Sequence, residues 1–289
     1  MPNSIPAPLN RRFPKIKDWE ITEQLSRSRW NDVYRASPGN NPRGNRGDYV
    51  LKIATEATDN DIAGKLLKRE AQIGQAISHP NLVSVLDANF EHEPWFIVQP
   101  YISGVDLQVL LDCRSTVSIP FSLWIVRQIA QAVNALHEHQ IIHCDISPRN
   151  VMLSGQGHVT LIDLGLVQVL DNEQLPVSHL AGSLNYLAPE QLDGVDHLTT
   201  AVDVYALGVL AVQLLADQLP SRHFNHFGDL RLVNRKAGKS TIDTKLDFEI
   251  AELLSSMLDR QPNNRPAISE VAAQLVRAEV NSFAQRIAA

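Results

Sequence analysis

The chain has 289 residues, of which 44% are apolar and 20% charged, with a formal net charge of -6. That length supports one large domain or two lobes with a proper core. The acidic balance argues against a general affinity for nucleic acid or anionic membrane. Two cysteines, Cys113 and Cys144, are too few for a disulfide framework or a cysteine metal site, so a reducing, cytoplasmic setting is expected.

Residues 1–18 carry prolines and an Arg pair without a long apolar run, and read as an irregular lead-in rather than a secretory signal. Residues 19–25 and 32–36 read as two strands joined by a tight turn, and 37–48 as a polar loop rich in Gly and Pro. A third strand is expected over 49–54, carrying Lys52 in an apolar setting. Residues 60–77 have helical spacing. His79, Pro80 and Asn81 end that helix, and strands are expected over 82–86 and 95–100. Ser103 and Gly104 mark a linker, after which helices are expected over 121–139, 200–216, 247–258 and 268–287. The most apolar stretch, 204–216, is too short to span a bilayer and reads as a buried helix.

The most informative stretch runs from His143 through Cys144, Asp145, Ile146, Ser147, Pro148 and Arg149 to Asn150, and is followed by Asp163, Leu164 and Gly165. Short apolar runs at 140–142, 151–153 and 159–162 frame it. One acid, one amide and a second acid on consecutive turns suit phosphoryl transfer from a magnesium nucleotide. One carboxylate takes the proton of the attacking hydroxyl, and the amide and other carboxylate hold the metal. A lone Asp here would read as a turn cap; the three together do not.

This pattern resembles the catalytic loop and metal-binding turn of protein kinases, and the resemblance extends along nearly the whole chain. It implies an α+β, two-lobed fold: a small β-rich lobe over 19–98, a hinge over 99–105, and a larger helical lobe over 106–289. It further implies that Lys52 binds the α- and β-phosphates of ATP and that Glu70 holds its ammonium. Asp145 becomes the catalytic base, Asn150 and Asp163 the magnesium ligands, and Arg149 a positive charge near the γ-phosphate. Leu25, Val33, Val50, Gln99, Pro100, Ile102 and Met152 fall at nucleotide-lining positions. Adenine would donate to the carbonyl of Pro100 and accept from the amide of Ile102. A proline has a carbonyl but no N–H, so it stands where only the carbonyl is needed. The run from Gly182 to Glu190 resembles the end of an activation segment, with Glu190 expected to pair with Arg265. Asp203 is expected to accept from the catalytic-loop backbone.

The chain also departs from the pattern. The phosphate-covering turn, normally rich in glycine, is Ser26, Arg27, Ser28, Arg29, Trp30 and Asn31, which points to weakened ATP binding. The usual Arg before the catalytic Asp is Cys144, so a phosphate on the activation segment would lack that partner. Leu164 stands where most kinases have Phe. Gly74, one turn after Glu70, suggests a helix in need of a partner or neighbouring subunit. The implied function is an ATP- and magnesium-dependent kinase acting on a protein substrate, most consistent with Ser or Thr as acceptor. Its partners would include neither nucleic acid nor membrane, with room for an activating partner or homodimer. The alternative is a pseudokinase that senses nucleotide or scaffolds. A small-molecule kinase fits less well, because of the activation-segment end and Arg265.

Overall fold

Alternating apolar and polar residues at the start of the chain form an antiparallel sheet. The computed structural model describes residues 15–40, 47–55, 60–113, 117–170, 183–195, 197–216, 231–236, 239–245 and 248–288. By internal contacts these fall into two compact units, the first comprising residues 1–71 and 85–101, the second 72–84 and 102–289. One boundary lies between Tyr101 and Ile102, and residues 72–84 belong with the second unit.

In the first unit the elements are β1 (Lys15–Ile16), β2 (Trp19–Arg27), β3 (Asn31–Pro38), β4 (Tyr49–Ala54), helix α1 (Asn60–Ala76), β5 (Asp87–Asn89) and β6 (Phe96–Pro100). The strands form an antiparallel sheet in the order β1-β2-β3-β4-β6-β5, and β1 lies within the stretch read as a lead-in. Because side chains alternate across a sheet, the register sorts the faces. Val33, Lys52 and Ile97 stand in one row, and Arg35, Val50 and Gln99 in the next row on the same face. The opposite face carries Leu51 and Val98, which cluster with Ala36, Ile53 and Phe96. Leu67 and Ala71 of α1 pack with Val85 and Ile97, so the helix covers the face that holds Lys52.

The strand expected over 82–86 is not formed; β5 lies just beyond it. Leu82, Val83 and Val85 are buried, which explains their apolar character. Leu82 makes only an isolated parallel bridge with Leu161, and Leu86, 53% exposed, bonds through its N–H to the carbonyl of Val98. Apolar alternation here reports burial rather than strand pairing.

The second unit contains β7 (Val105–Asp106), α2 (Leu107–Asp112), α3 (Ile119–His137), β8 (Ile141–Ile142), a 3-10 turn (Pro148–Asn150), β9 (Val151–Leu153), β10 (Val159–Leu161), β11 (Gln168–Val169), α4 (Pro189–Leu192) and α5 (Ala201–Ala216). A hairpin of β12 (Arg231–Lys236) and β13 (Lys239–Lys245), then α6 (Phe248–Met257) and α7 (Ile268–Ala288), complete it. The four expected long helices are α3, α5, α6 and α7. Helix α5 is buried nearly all round, as its uniform apolarity requires. It shares one large core with α3, α6 and α7. The three short apolar runs become β8, β9 and β10. They hold the loop from His143 to Ser147 at one end and Asp163 at the other. A sheet-rich first unit and a mainly helical second unit give the α+β class that the resemblance implies.

Candidate active site

In the first unit Lys52 Nζ lies 2.7 Å from Glu70 Oε2. Both are buried, Lys52 on β4 and Glu70 on α1. A buried ammonium needs such a partner, because losing water costs several kcal/mol per ion. Glu70 Oε1 accepts from the side-chain amide of Gln99 at 3.1 Å, so each carboxylate oxygen has its own donor. Val33, opposite Lys52, and Val50, opposite Gln99, are half-buried on the same face. Leu25 is 39% exposed at a bulge in β2, and Pro100 ends β6, where a missing N–H is tolerated.

The turn that lacks glycine is ordered by its own side chains. The N–H of Ser28 donates to the carbonyl of Asn31 at 2.8 Å. Its hydroxyl oxygen accepts from the N–H groups of Trp30 and Asn31 at 3.2 and 3.0 Å. Thr55, just past β4, donates through its N–H to Trp30 O at 3.1 Å and through its hydroxyl to Arg29 O at 2.9 Å. Arg29 stacks on the Trp30 ring at 4.4 Å. Among the described residues, the non-glycine positions with left-handed backbone are Lys17, Gln140, Cys144 and Asp163. The turn therefore forms without the conformation that glycine favours. The amides of Ser28, Trp30 and Asn31 are engaged within it.

In the second unit the catalytic-loop residues converge. The side-chain amide of Asn150 donates to the backbone carbonyl of Asp145 at 2.8 Å and to its Oδ2 at 2.7 Å. Both neighbours are acceptors, so the NH₂ must face them and the amide oxygen points elsewhere. Asp145 Oδ1 accepts from the N–H of Ser183 at 3.2 Å. The N–H of Ile162 donates to the backbone carbonyl of Asn150 at 2.8 Å, tying Asn150 to the residue before Asp163. Asp163 has φ +66°, and its Oδ1 accepts from the N–H of Gly165 at 3.1 Å. Leu164 is fully buried in the main core, so the swap from Phe leaves the turn intact. Arg149 is exposed, while Met152 on β9 and Ile102 are half-buried, Ile102 against the main core.

Asp203 of α5 anchors this loop. It is 1% exposed; Oδ2 accepts from His143 N–H at 2.7 Å and Oδ1 from Cys144 N–H at 2.9 Å. His137 Nε2 lies 2.9 Å from Oδ2. Burial would raise the carboxyl's pKa, but these hydrogen bonds and the nearby His137 and His143 outweigh it and leave it lowered. The bonds hold Cys144 at φ +67°, a conformation that costs about 1–3 kcal/mol for a non-glycine residue. His143 is fully buried, and that burial lowers its pKa. Its Nδ1 accepts from the Asp145 N–H at 3.3 Å, which favours the neutral ring with its proton on Nε2.

The expected Glu190–Arg265 pair is present and bidentate, at 2.6 and 2.9 Å. Arg265 also donates to the carbonyls of Asp259 and Ala201 at 2.8 and 2.9 Å, and its guanidinium lies 4.9 Å from the Tyr205 ring. Gly182 lies outside the described residues. The roles of Asp203 and Arg265 were readable from the sequence; the amide clamp of Gln99 on Glu70 was not, since only the β4–β6 register reveals it.

A buried Lys–Glu pair joining β4 to α1 in the first unit, and in the second Asp145, Asn150 and Asp163 beside the buried Asp203, carry the polar pattern of the protein-kinase class. Residues 40–276 match the family model described as "Protein kinase domain", and the chain belongs to that family. It is 27% identical over 266 residues to the serine/threonine-protein kinase ULK3 of Xenopus laevis, covering 91% of this chain and 56% of that protein. It is 32% identical over 165 residues to the serine/threonine-protein kinase PrkC of Bacillus subtilis (strain 168), covering 57% and 25%. With the probable serine/threonine-protein kinase PknB of Lactococcus lactis it shares 29% identity over 203 residues, covering 70% and 32%. The chain thus spans from a quarter to just over half the length of these relatives. The family match begins at residue 40, beyond the hairpin that has lost its glycines.

Proposed function

We propose that the chain is a serine/threonine protein kinase that transfers the γ-phosphoryl group of magnesium-ATP to a protein hydroxyl. The observation that carries the reading is the Asp145–Asn150 pairing. It fixes the Asp145 carboxylate beside Asn150 and turns the Asn150 amide oxygen away from the NH₂ contacts. Asn150 and Asp163 offer the hard oxygen donors that magnesium takes. Among the described residues no three His, Cys, Asp or Glu side chains gather as a metal site by themselves. When bound, magnesium supplies charge neutralisation on the phosphates.

Lys52, oriented by Glu70, holds the α- and β-phosphates. Asp145 receives the proton of the acceptor hydroxyl, and Arg149 presents a fixed positive charge to the transferred group. The Pro100 carbonyl and Ile102 amide read the adenine edge, flanked by Leu25, Val33, Val50 and Met152. Since the turn at 28–31 uses its amides internally, it gives phosphates little backbone help, and the reading includes modest ATP affinity. Two cysteines, Cys113 exposed and Cys144 buried, suit a reducing compartment such as the cytoplasm.

The test is transfer of label from γ-labelled ATP to a generic basic protein and to the chain itself, with wild type and Asp145→Ala. Incorporation that requires Asp145 supports the reading; equal incorporation in both rejects it. The turn's engaged amides keep a second reading in view, a nucleotide-sensing pseudokinase. A magnesium-ATP shift in melting temperature without incorporation would favour it.

A further inference from the structure

Ser28 stands in the middle of the turn that has lost its glycines, and its hydroxyl is saturated. It accepts from two successive backbone amides, those of Trp30 at 3.2 Å and Asn31 at 3.0 Å. It donates to the carbonyl of Asn31 at 3.0 Å. A hydroxyl has two lone pairs and one proton, and all three are used. Two consecutive N–H groups converging on one oxygen are also what an anion takes from a turn. The serine oxygen therefore fills a place that suits a phosphate oxygen.

The register sets this seat near the buried ammonium. Asn31 opens β3 opposite Ala54, and Val33 lies opposite Lys52. Positions two apart share a face of the sheet and stand about 7 Å apart along the strand. Nor does the turn depend on the serine hydroxyl alone for its shape. Thr55, 8% exposed, donates through its N–H to Trp30 O at 3.1 Å and through its hydroxyl to Arg29 O at 2.9 Å. Those bonds hold the turn by its carbonyls and leave the two amides to Ser28. Ser28 itself is exposed, so a ligand from solvent can reach the oxygen it must displace.

We propose that Ser28 is an affinity-determining residue for the nucleotide: its hydroxyl fills the phosphate seat of the turn from within, and a phosphate must displace it to bind there. Weak phosphate binding at this turn then follows from a competing side chain rather than from lost glycine flexibility. The identity of the nucleotide rests on the kinase reading; the competition for two amides does not.

The experiment compares wild type, Ser28→Ala and Ser28→Gly in the full chain, by calorimetric binding of magnesium-ATP, magnesium tripolyphosphate and adenosine. Both substitutions remove the hydroxyl, and only the second adds backbone freedom. Both should tighten ATP and tripolyphosphate about three- to tenfold, the yield of one or two released hydrogen bonds, and leave adenosine unchanged. In steady-state transfer the gain falls on KM for ATP, with kcat little changed. Ser28→Ala is the deciding variant. Tightening by Ser28→Gly alone would assign the effect to glycine flexibility and overturn the proposal. Unchanged affinity in both variants, an equal gain for adenosine, or no tripolyphosphate binding by any of the three proteins would overturn it too. Variants that show the binding gain but transfer no label would count against the kinase reading alone, and the competition at Ser28 would stand.

Discussion

Asp145 is held at its backbone carbonyl and Oδ2 by Asn150 and at Oδ1 by Ser183. Asp145→Asn keeps this outline and removes the proton acceptor. Transfer should fall by about 10²–10⁴-fold with the melting temperature nearly unchanged, read by label incorporation and a thermal melt. His143 gives a prediction in pH. Its folded pKa is lowered by burial, so below the unfolded value of about 6.5 the unfolded chain binds a proton that the folded chain refuses. Stability should therefore fall as pH drops from about 7 toward 5, and His143→Phe should flatten that slope in melts. Asp203, also lowered, acts in the same direction at more acidic pH, losing its contribution as pH falls below about 3.9. At this scale the resemblance to the protein-kinase pattern singled out Asp145, Asn150 and Asp163, and the structure shows Asn150 bonded to Asp145. The left-handed backbones of Cys144 and Asp163 were not legible, since tertiary hydrogen bonds impose them against local preference.

At the scale of elements, α1 and the Arg265 anchor carry the sharpest tests. Gly64→Val would drive methyl groups into the Trp95 ring. It should destabilise by about 1–3 kcal/mol, measured by urea unfolding. Arg265→Lys removes the fork that spans Glu190 and three backbone carbonyls. With Arg265 7% exposed, the loss should approach about 3 kcal/mol, whereas a solvated pair would lose under about 1 kcal/mol. Helices α3, α5, α6 and α7 were legible within a residue or two because their apolar periodicity is strong. The stretch 82–86 misled because buried loop residues mimic a strand. Asn81 is what holds that loop: its amide donates to Gln128 and to the carbonyl of Val159 at 3.0 and 2.7 Å. The glycine-free turn was harder still, because its order depends on Thr55, more than twenty residues further along the chain.

For the whole molecule, each unit carries its own polar cluster: the Lys52–Glu70 pair in the first and the loop with Asp145, Asn150 and Asp163 in the second. No described helix is long and apolar enough to cross a membrane. The family match and the two units together make the protein-kinase fold legible from a handful of polar residues. What the sequence hid is local: side-chain hydrogen bonds order the glycine-free turn, and the Gln99 amide reaches Glu70. The most direct measurement is phosphoryl transfer from ATP to protein across a magnesium titration, in wild type, Lys52→Met and Asp163→Asn. The account predicts magnesium-dependent incorporation in wild type and a loss of at least about a hundredfold in each variant. Incorporation that survives in either variant, or that ignores magnesium, would contradict it.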